Sequence, residues 1–188
     1  MLDLSLHLLD VIENSVRAGA TLINIIVDVD DNRNLLSFKI IDNGNGMSAE
    51  TLAGAQNPFY TSKTSKKKIG LGIPLFKQNA EACDGSFSMR SVLGEGTVLE
   101  ATFKKDHIDR MPVGSLADTI INSIIGHPET DFYLQLLHNT QDQTLTYEFD
   151  TRLLKEELGD ISLSYPDVVM YIDQVINNGV ENMKMGEV

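Results

Sequence analysis

Two strand-length runs that converge on one glycine-rich turn constrain this chain most. Leu22 to Val29 and Leu35 to Ile41 are dense in Ile, Val and Leu, and the turn-forming Asp30-Asp31-Asn32-Arg33-Asn34 separates them. They read as a hairpin whose second strand runs straight into Asp42-Asn43-Gly44-Asn45-Gly46-Met47. The Asp42 carboxylate can accept a hydrogen bond from an exocyclic amine, and Gly44 and Gly46 let the backbone approach a flat base. Asp-Asn-Gly is also ordinary turn chemistry, so this cluster alone decides little. Its neighbours decide more. Asn14 lies upstream in a helical stretch, and Gly70-Leu71-Gly72 lies downstream, just after Lys63, Lys66, Lys67 and Lys68. Together, in this order, they point to a site for a nucleoside triphosphate and its metal.

Leu4, Leu8, Leu9, Ile12 and Val16 recur at helical spacing, and Gly19 is a helix stop. Ser48 caps a short helix to Ala55. Gln56 to Lys68 lacks periodicity and reads as a loop. Leu71 to Ala82 reads as a helix with Pro74 in its first turn. Ser86 to Val92 and Thr97 to Lys104 read as a second hairpin around Leu93-Gly94-Glu95-Gly96. The expected fold is α+β, a two-layer sandwich with helices on one face of a largely antiparallel sheet. Asp106 to Gly114 reads as a linker. After it come a helix from Ser115 to Ile125, a hairpin from Asp131 to His138 and Leu145 to Phe149, and helices over Arg152 to Leu158 and Pro166 to Met183.

Charge divides the chain in the same place. Residues 1–105 carry 11 Lys+Arg against 12 Asp+Glu, whereas residues 106–188 carry 4 against 15. The expected organisation is therefore a nucleotide-binding domain over 1–105, a linker over 106–114 and a small acidic α+β unit over 115–188. Such an acidic half repels nucleic acid and anionic membrane, although acidic helices also serve simply as solvated surface. The single cysteine, Cys83, rules out an intrachain disulfide and reads as a small buried apolar residue in a reducing compartment. No uncharged run reaches the ~18 residues of a membrane span, and no signal peptide is evident at the start, so the expected location is cytoplasmic.

Asp10, Asn14 and Arg17 share one helix face at spacings of four and three. The Asn14 carboxamide is a hard oxygen ligand suited to magnesium, which keeps phosphate oxygens and waters as its other ligands. Asp10 can orient a water or accept a proton, and Arg17 can pair with a phosphate. The same three residues also suit the solvated side of an amphipathic helix. A glycine turn opening a helix, as at Gly70, Leu71 and Gly72, offers free N–H groups to phosphate, and the preceding lysines suit a cationic lid. The Gly-Lys-Ser/Thr ending of a Walker loop is absent. His7, His107, His127 and His138 are too scattered to suggest a metal site.

Over about residues 4–104 the chain resembles the GHKL superfamily of gyrase-type, heat-shock-chaperone-type and mismatch-repair ATPases and bacterial histidine kinases with their anti-sigma relatives. Leu9 to Ala20 is similar to its N-box and Asp42 to Met47 to its first glycine box. Pro58-Phe59-Tyr60-Thr61-Ser62-Lys63 is similar to the phenylalanine box of the kinases, Gly70 to Gly72 to the second glycine box, and Gly94-Glu95-Gly96-Thr97 to the last glycine-threonine element. The resemblance implies a Bergerat-fold site for ATP and Mg2+. Asn14 would hold the metal and Asp42 the adenine amine, with Gly46 and Thr97 supporting the base and Gly44 and Met47 as further cofactor-binding residues. Lys63 and the turn at Gly70 and Gly72 would embrace the phosphates, and Arg17, Phe59, Thr61, Ser62 and Leu71 would complete the set of cofactor-binding residues.

Two departures matter. Hydrolysing members carry Glu four residues before the magnesium Asn, where this chain has Asp10; the kinases usually carry Asn. Arg17 is basic, as in the kinases. The resemblance therefore implies a regulatory ATP-binding protein, a kinase-type or slow ATPase module with Asp10 as its candidate base, acting on a protein partner, with a homodimer as a further option. The kinases normally place a helical hairpin bearing the phosphoacceptor His ahead of this domain. Here the N-box begins almost at Met1, which leaves a partner protein, or His107, His127 or His138, as acceptor. The main alternative is a non-catalytic switch in which ATP alters how the acidic unit engages a partner. A mismatch-repair-like dimer clamp would need a longer chain with a transducer domain.

Overall fold

Alternating burial along the two central runs builds the sheet. In the computed structural model, which describes residues 3–55 and 71–185, β1 (Leu22–Asp30) and β2 (Leu35–Asp42) each bury every second side chain. They pair antiparallel, with Val27 opposite Phe38 and Ile25 opposite Ile40. β3 (Ser86–Val92) and β4 (Gly96–Lys104) form the second hairpin, and β4 pairs antiparallel with β2.

Helices α1 (Leu4–Arg17), α3 (Gly72–Ala82), α4 (Leu116–Gly126) and α6 (Pro166–Asn182) supply the other layer, and their buried residues join those of the strands in one core. Phe38, Phe76 and Phe103 are fully buried at its centre, with Phe38 edge-on to both of the others at 6.1 Å. Edge-to-face pairs of this kind add about 0.5–1.5 kcal/mol beyond the burial of their area. Cys83 belongs to the same core, as expected, and burial pushes its thiol pKa up. The short α2 (Ala49–Ala55) begins behind Ser48, whose Oγ accepts from the Thr51 N–H.

The α+β sandwich expected from the sequence is present. Its sheet has six strands, in the order β3-β4-β2-β1-β5-β6. β5 (Asp131–Asn139) lies parallel to β1 over nine residue pairs, from Leu22 opposite Asp131 to Asp30 opposite Asn139, and β6 (Thr144–Asp150) closes the edge. The acidic half thus extends the same sheet. Residues 106–114 run back over the start of α1, where the Pro112 and Val113 carbonyls accept from the Leu4 and Ser5 N–H groups. The first orphan donors of α1 are met there and by Asp3, whose carboxylate accepts from the Leu6 N–H. α5 (Thr151–Leu158) follows β6, capped by Asp150. Among the described residues, no helix is long and apolar enough to cross a membrane.

α6 is fastened to the sheet edge by Tyr147. Its hydroxyl donates to the Val175 carbonyl at 3.1 Å, and its ring fills the space beside Gly179. Burial pushes its phenol from 10.0 up to about 12. A pKa raised by folding leaves stability intact below the unfolded value and removes it as pH climbs through the folded one, here between pH 10.0 and about 12. Because the side chain is only half buried, the loss is expected at about 1–2 kcal/mol rather than the full value of the shift. Tyr147→Phe should flatten this alkaline decline. Urea unfolding at both ends of the window checks it, and an equal decline in parent and variant would refute it.

Candidate functional site

α1 carries the polar face that the sequence suggested. Gly19, at φ +76°, follows the helix and lets the chain reverse, with its N–H donating to the Val16 carbonyl and that of Ala20 to Ser15. The reversal sets the Asn14–Arg17 end of α1 beside the Asp42 turn. The Asn45 N–H donates to the Ala18 carbonyl at 2.8 Å, and Asn43 Oδ1 accepts from the N–H groups of Thr21 and Leu22.

Asp42 is only 8% exposed, and both carboxylate oxygens are held. Oδ2 accepts from the buried Ser15 hydroxyl at 2.8 Å, and Oδ1 accepts from the Gly44 N–H at 3.0 Å. Each oxygen keeps capacity for a further donor. Ser15 is the residue that the sequence reading missed. Its position directly after Asn14 was the available signal, but the reach to Asp42, 27 residues away, exists only in the fold.

Thr97 is the cross-strand partner of Asp42. Ser91, also unforeseen, ties this corner together. Its Oγ donates to the Gly96 carbonyl, accepts from the Met47 N–H and lies 3.0 Å from Thr97 Oγ1. Gly46 takes φ +60° and passes so close to the Val92 carbonyl that a Cβ would meet it under 3.0 Å. Gly44 fits tightly against Ala18 and Asp42. The turn thus reaches its place only because it has no side chains there.

At the other end of the α1 face, Asp10 lies against Gly72, the first residue of α3, in the space a Cβ would need. The structure thereby brings the candidate base to the glycine turn. Leu71, just before α3, is 44% exposed. Asn14 is exposed, and its Oδ1 accepts from Arg17 Nη2 at 2.9 Å, while Arg17 Nε donates to the Glu13 carbonyl. Glu13 itself turns away to His127, with Oε1 and Nε2 2.8 Å apart. No group of three or more His, Cys, Asp or Glu able to hold a metal occurs among the described residues. A cation here would draw on Asn14 and on ligand oxygens, which matches the needs of a magnesium ion bound with phosphate. The glycine cradle and the prepared carboxylate fit a nucleotide. Phe59, Thr61, Ser62, Lys63 and Gly70 lie outside the described residues, as does the expected loop from Gln56 to Lys68.

Residues 2–107 match the family model described as histidine kinase-, DNA gyrase B- and HSP90-like ATPase. The chain belongs to this family. Among curated relatives, the heme sensor protein HssS of Staphylococcus saprophyticus is 32% identical over 96 residues, which cover 51% of this chain and 21% of that protein. The sensor histidine kinase YvrG of Bacillus subtilis is 32% identical over 95 residues, or 49% of this chain and 16% of the relative. The C4-dicarboxylate transport sensor protein DctB of Pseudomonas aeruginosa is 40% identical over 64 residues, or 34% and 10%. The chain thus spans about a fifth or less of the length of these sensor proteins. A crystal structure of the N-terminal domain of a DNA repair protein superimposes with a TM-score of 0.52 at 14% identity, over 78% of this chain and 52% of that one. That likeness speaks for the fold alone.

Proposed function

We propose that this chain is a magnesium-dependent ATP-binding regulatory module, of kinase type or a slow ATPase, that acts on a protein partner. The observation that carries the nucleotide reading is Asp42, a buried carboxylate fixed by Ser15 and Gly44 beside Thr97 and a turn that side chains would block. Adenine would present its amine to Asp42. Asn14 would supply an oxygen to the metal once Arg17 lets it go, freeing the guanidinium for phosphate. The metal would neutralise phosphate charge. Asp10 of α1, packed against the start of α3, would lie where a water or an acceptor hydroxyl meets the terminal phosphate.

One observation favours the switch reading. β5 of the acidic half shares its whole length with β1, so an event at the glycine turns would have a continuous sheet along which to reach that half. A ligand moves such a switch only by the difference in its affinity for two states. As phosphoacceptors the C-terminal histidines differ in access. His138 is 7% exposed with ring nitrogens facing Met183 O and Asp31 Oδ2, whereas the His127 ring pairs, among the described residues, with Glu13, next to Asn14.

Incubation with magnesium and γ-labelled ATP separates these roles. We expect phosphate release or label transfer from the parent, reduced roughly a hundredfold to ten-thousandfold in Asp10→Asn, the range that a positioned base contributes. Binding without release or transfer in either protein, with partner affinity changed by ATP, selects the switch. No binding by the parent refutes the nucleotide reading.

A further inference from the structure

Beneath the phosphate end lies a buried group that the site as described does not use. His7 sits one turn before Asp10 on the same face of α1 and is 1% exposed. Its ring stacks on Phe76 of α3, 5.3 Å between centroids and 8° from parallel. Nε2 lies 2.9 Å from Nδ2 of Asn79, also on α3. The same Nδ2 is 3.5 Å from the Met111 sulfur, an acceptor, so the amide presents its NH2 to both and Nε2 takes the hydrogen bond. A neutral ring then carries its proton on Nδ1. Desolvation dominates and lowers the imidazole pKa, which keeps the ring neutral.

Nδ1 is the one buried side-chain polar atom without a hydrogen-bond partner among the described residues. The Gly72 backbone comes near enough to favour a ring proton, yet not in the geometry of a hydrogen bond. Buried donors are rarely left so. Gly72, whose backbone reaches the His7 ring, opens α3 and carries Asp10 against it.

We propose that His7 is a positioning residue for the phosphate end of the site, whose Nδ1–H is taken up by the Gly72 backbone when nucleotide binds. The inference rests on the nucleotide reading above. His7 and Phe76 set the height of α3 on α1, and the unmade bond leaves the start of α3 a short step from its bound position. Nucleotide completes that step, so the ring favours the bound arrangement and holds Gly72 in register with Asp10.

The test compares the parent with His7→Phe, which keeps the stack and removes both nitrogens, and His7→Asn, which keeps a short amide donor near Nδ1. MgATP affinity by calorimetry and thermal midpoint are measured for each. We expect His7→Phe to melt within a few degrees of the parent yet bind MgATP about tenfold more weakly, and His7→Asn to melt lower yet recover most of the affinity. A purely structural role gives affinities that follow the melting order, and that result overturns the proposal. The parent alone supplies a second readout. In long-range 1H–15N spectra, the protonated Nδ1 of His7 should shift when a non-hydrolysable ATP analogue saturates the protein with magnesium, and an unmoved resonance also overturns it. A parent that binds no MgATP removes the nucleotide reading and this inference together, whereas a parent that binds normally beside an unaffected His7→Phe removes only the inference.

Discussion

Replacing Asp42 with Asn should weaken ATP binding about a hundredfold while leaving the fold nearly as stable as the parent. The carboxylate is isosteric with the amide, and the Asn oxygen can still accept from the Gly44 N–H at the Oδ1 position. Ser15 also lies 3.3 Å from the Val11 carbonyl, which can take its proton when an amide NH2 replaces Oδ2. The local frame therefore survives. What is lost is a charged acceptor for an amine, worth about 1.5–3 kcal/mol, and the amide adds a donor facing a donor. About 3 kcal/mol corresponds to a hundredfold in affinity. Calorimetric titration with MgATP and with the inosine nucleotide reads the effect. Inosine presents no amine, so the parent should prefer ATP and the variant should not. A variant that binds ATP as the parent does would remove Asp42 from base recognition.

The second large effect concerns stability. Gly46→Ala should lower it by more than about 3 kcal/mol, the sum of a left-handed backbone that non-glycine residues resist at ~1–2 kcal/mol and a Cβ driven into the Val92 carbonyl. That carbonyl cannot retreat easily. Val92 pairs with Gly96 at the end of the β3–β4 hairpin, and the Gly94 N–H is anchored on the Asn45 carbonyl. For a chain of this length, such a loss lowers the melting midpoint by roughly 6–12 °C. Gly94→Ala is the informative control. It also has a positive φ, +84°, but a Cβ there meets nothing within 4 Å, so only the backbone cost of ~1–2 kcal/mol applies. Scanning calorimetry on both variants decides the matter, and equal midpoints would show that the close approach at Gly46 is not a constraint.

The contrast between these glycines shows how far a sequence can be read. Gly44 and Gly46 were legible as a turn after Asp42, and Gly96 as part of the turn before Thr97, because turn chemistry is local. Which of them is indispensable depends on what passes beside it, and the Val92 carbonyl comes from 46 residues away. That Asp10 and Asn14 share a helix face was legible because helical spacing is local. Ser15 and Ser91 were not, because a hydroxyl gains its role only from a partner placed by tertiary packing. The histidines show the same limit. As sequence they are four scattered residues, but packing gives His7 a stack with Phe76 and gives His127 to Glu13.

By itself the sequence determined the elements, the three hairpins about their turns, the α+β class and the family, since each follows from periodicity, turn chemistry or contiguous motifs that act over a few residues. Tertiary structure alone decided that β5 pairs with β1 and makes the acidic half part of the same sheet. Charge composition divides the chain near residue 106, but strand order is set by which apolar faces can be buried together. The alternating Phe132, Leu134 and Leu136 of β5 fit the core face beside Ile23, Ile25 and Val27, a match between surfaces more than a hundred residues apart that no local pattern records.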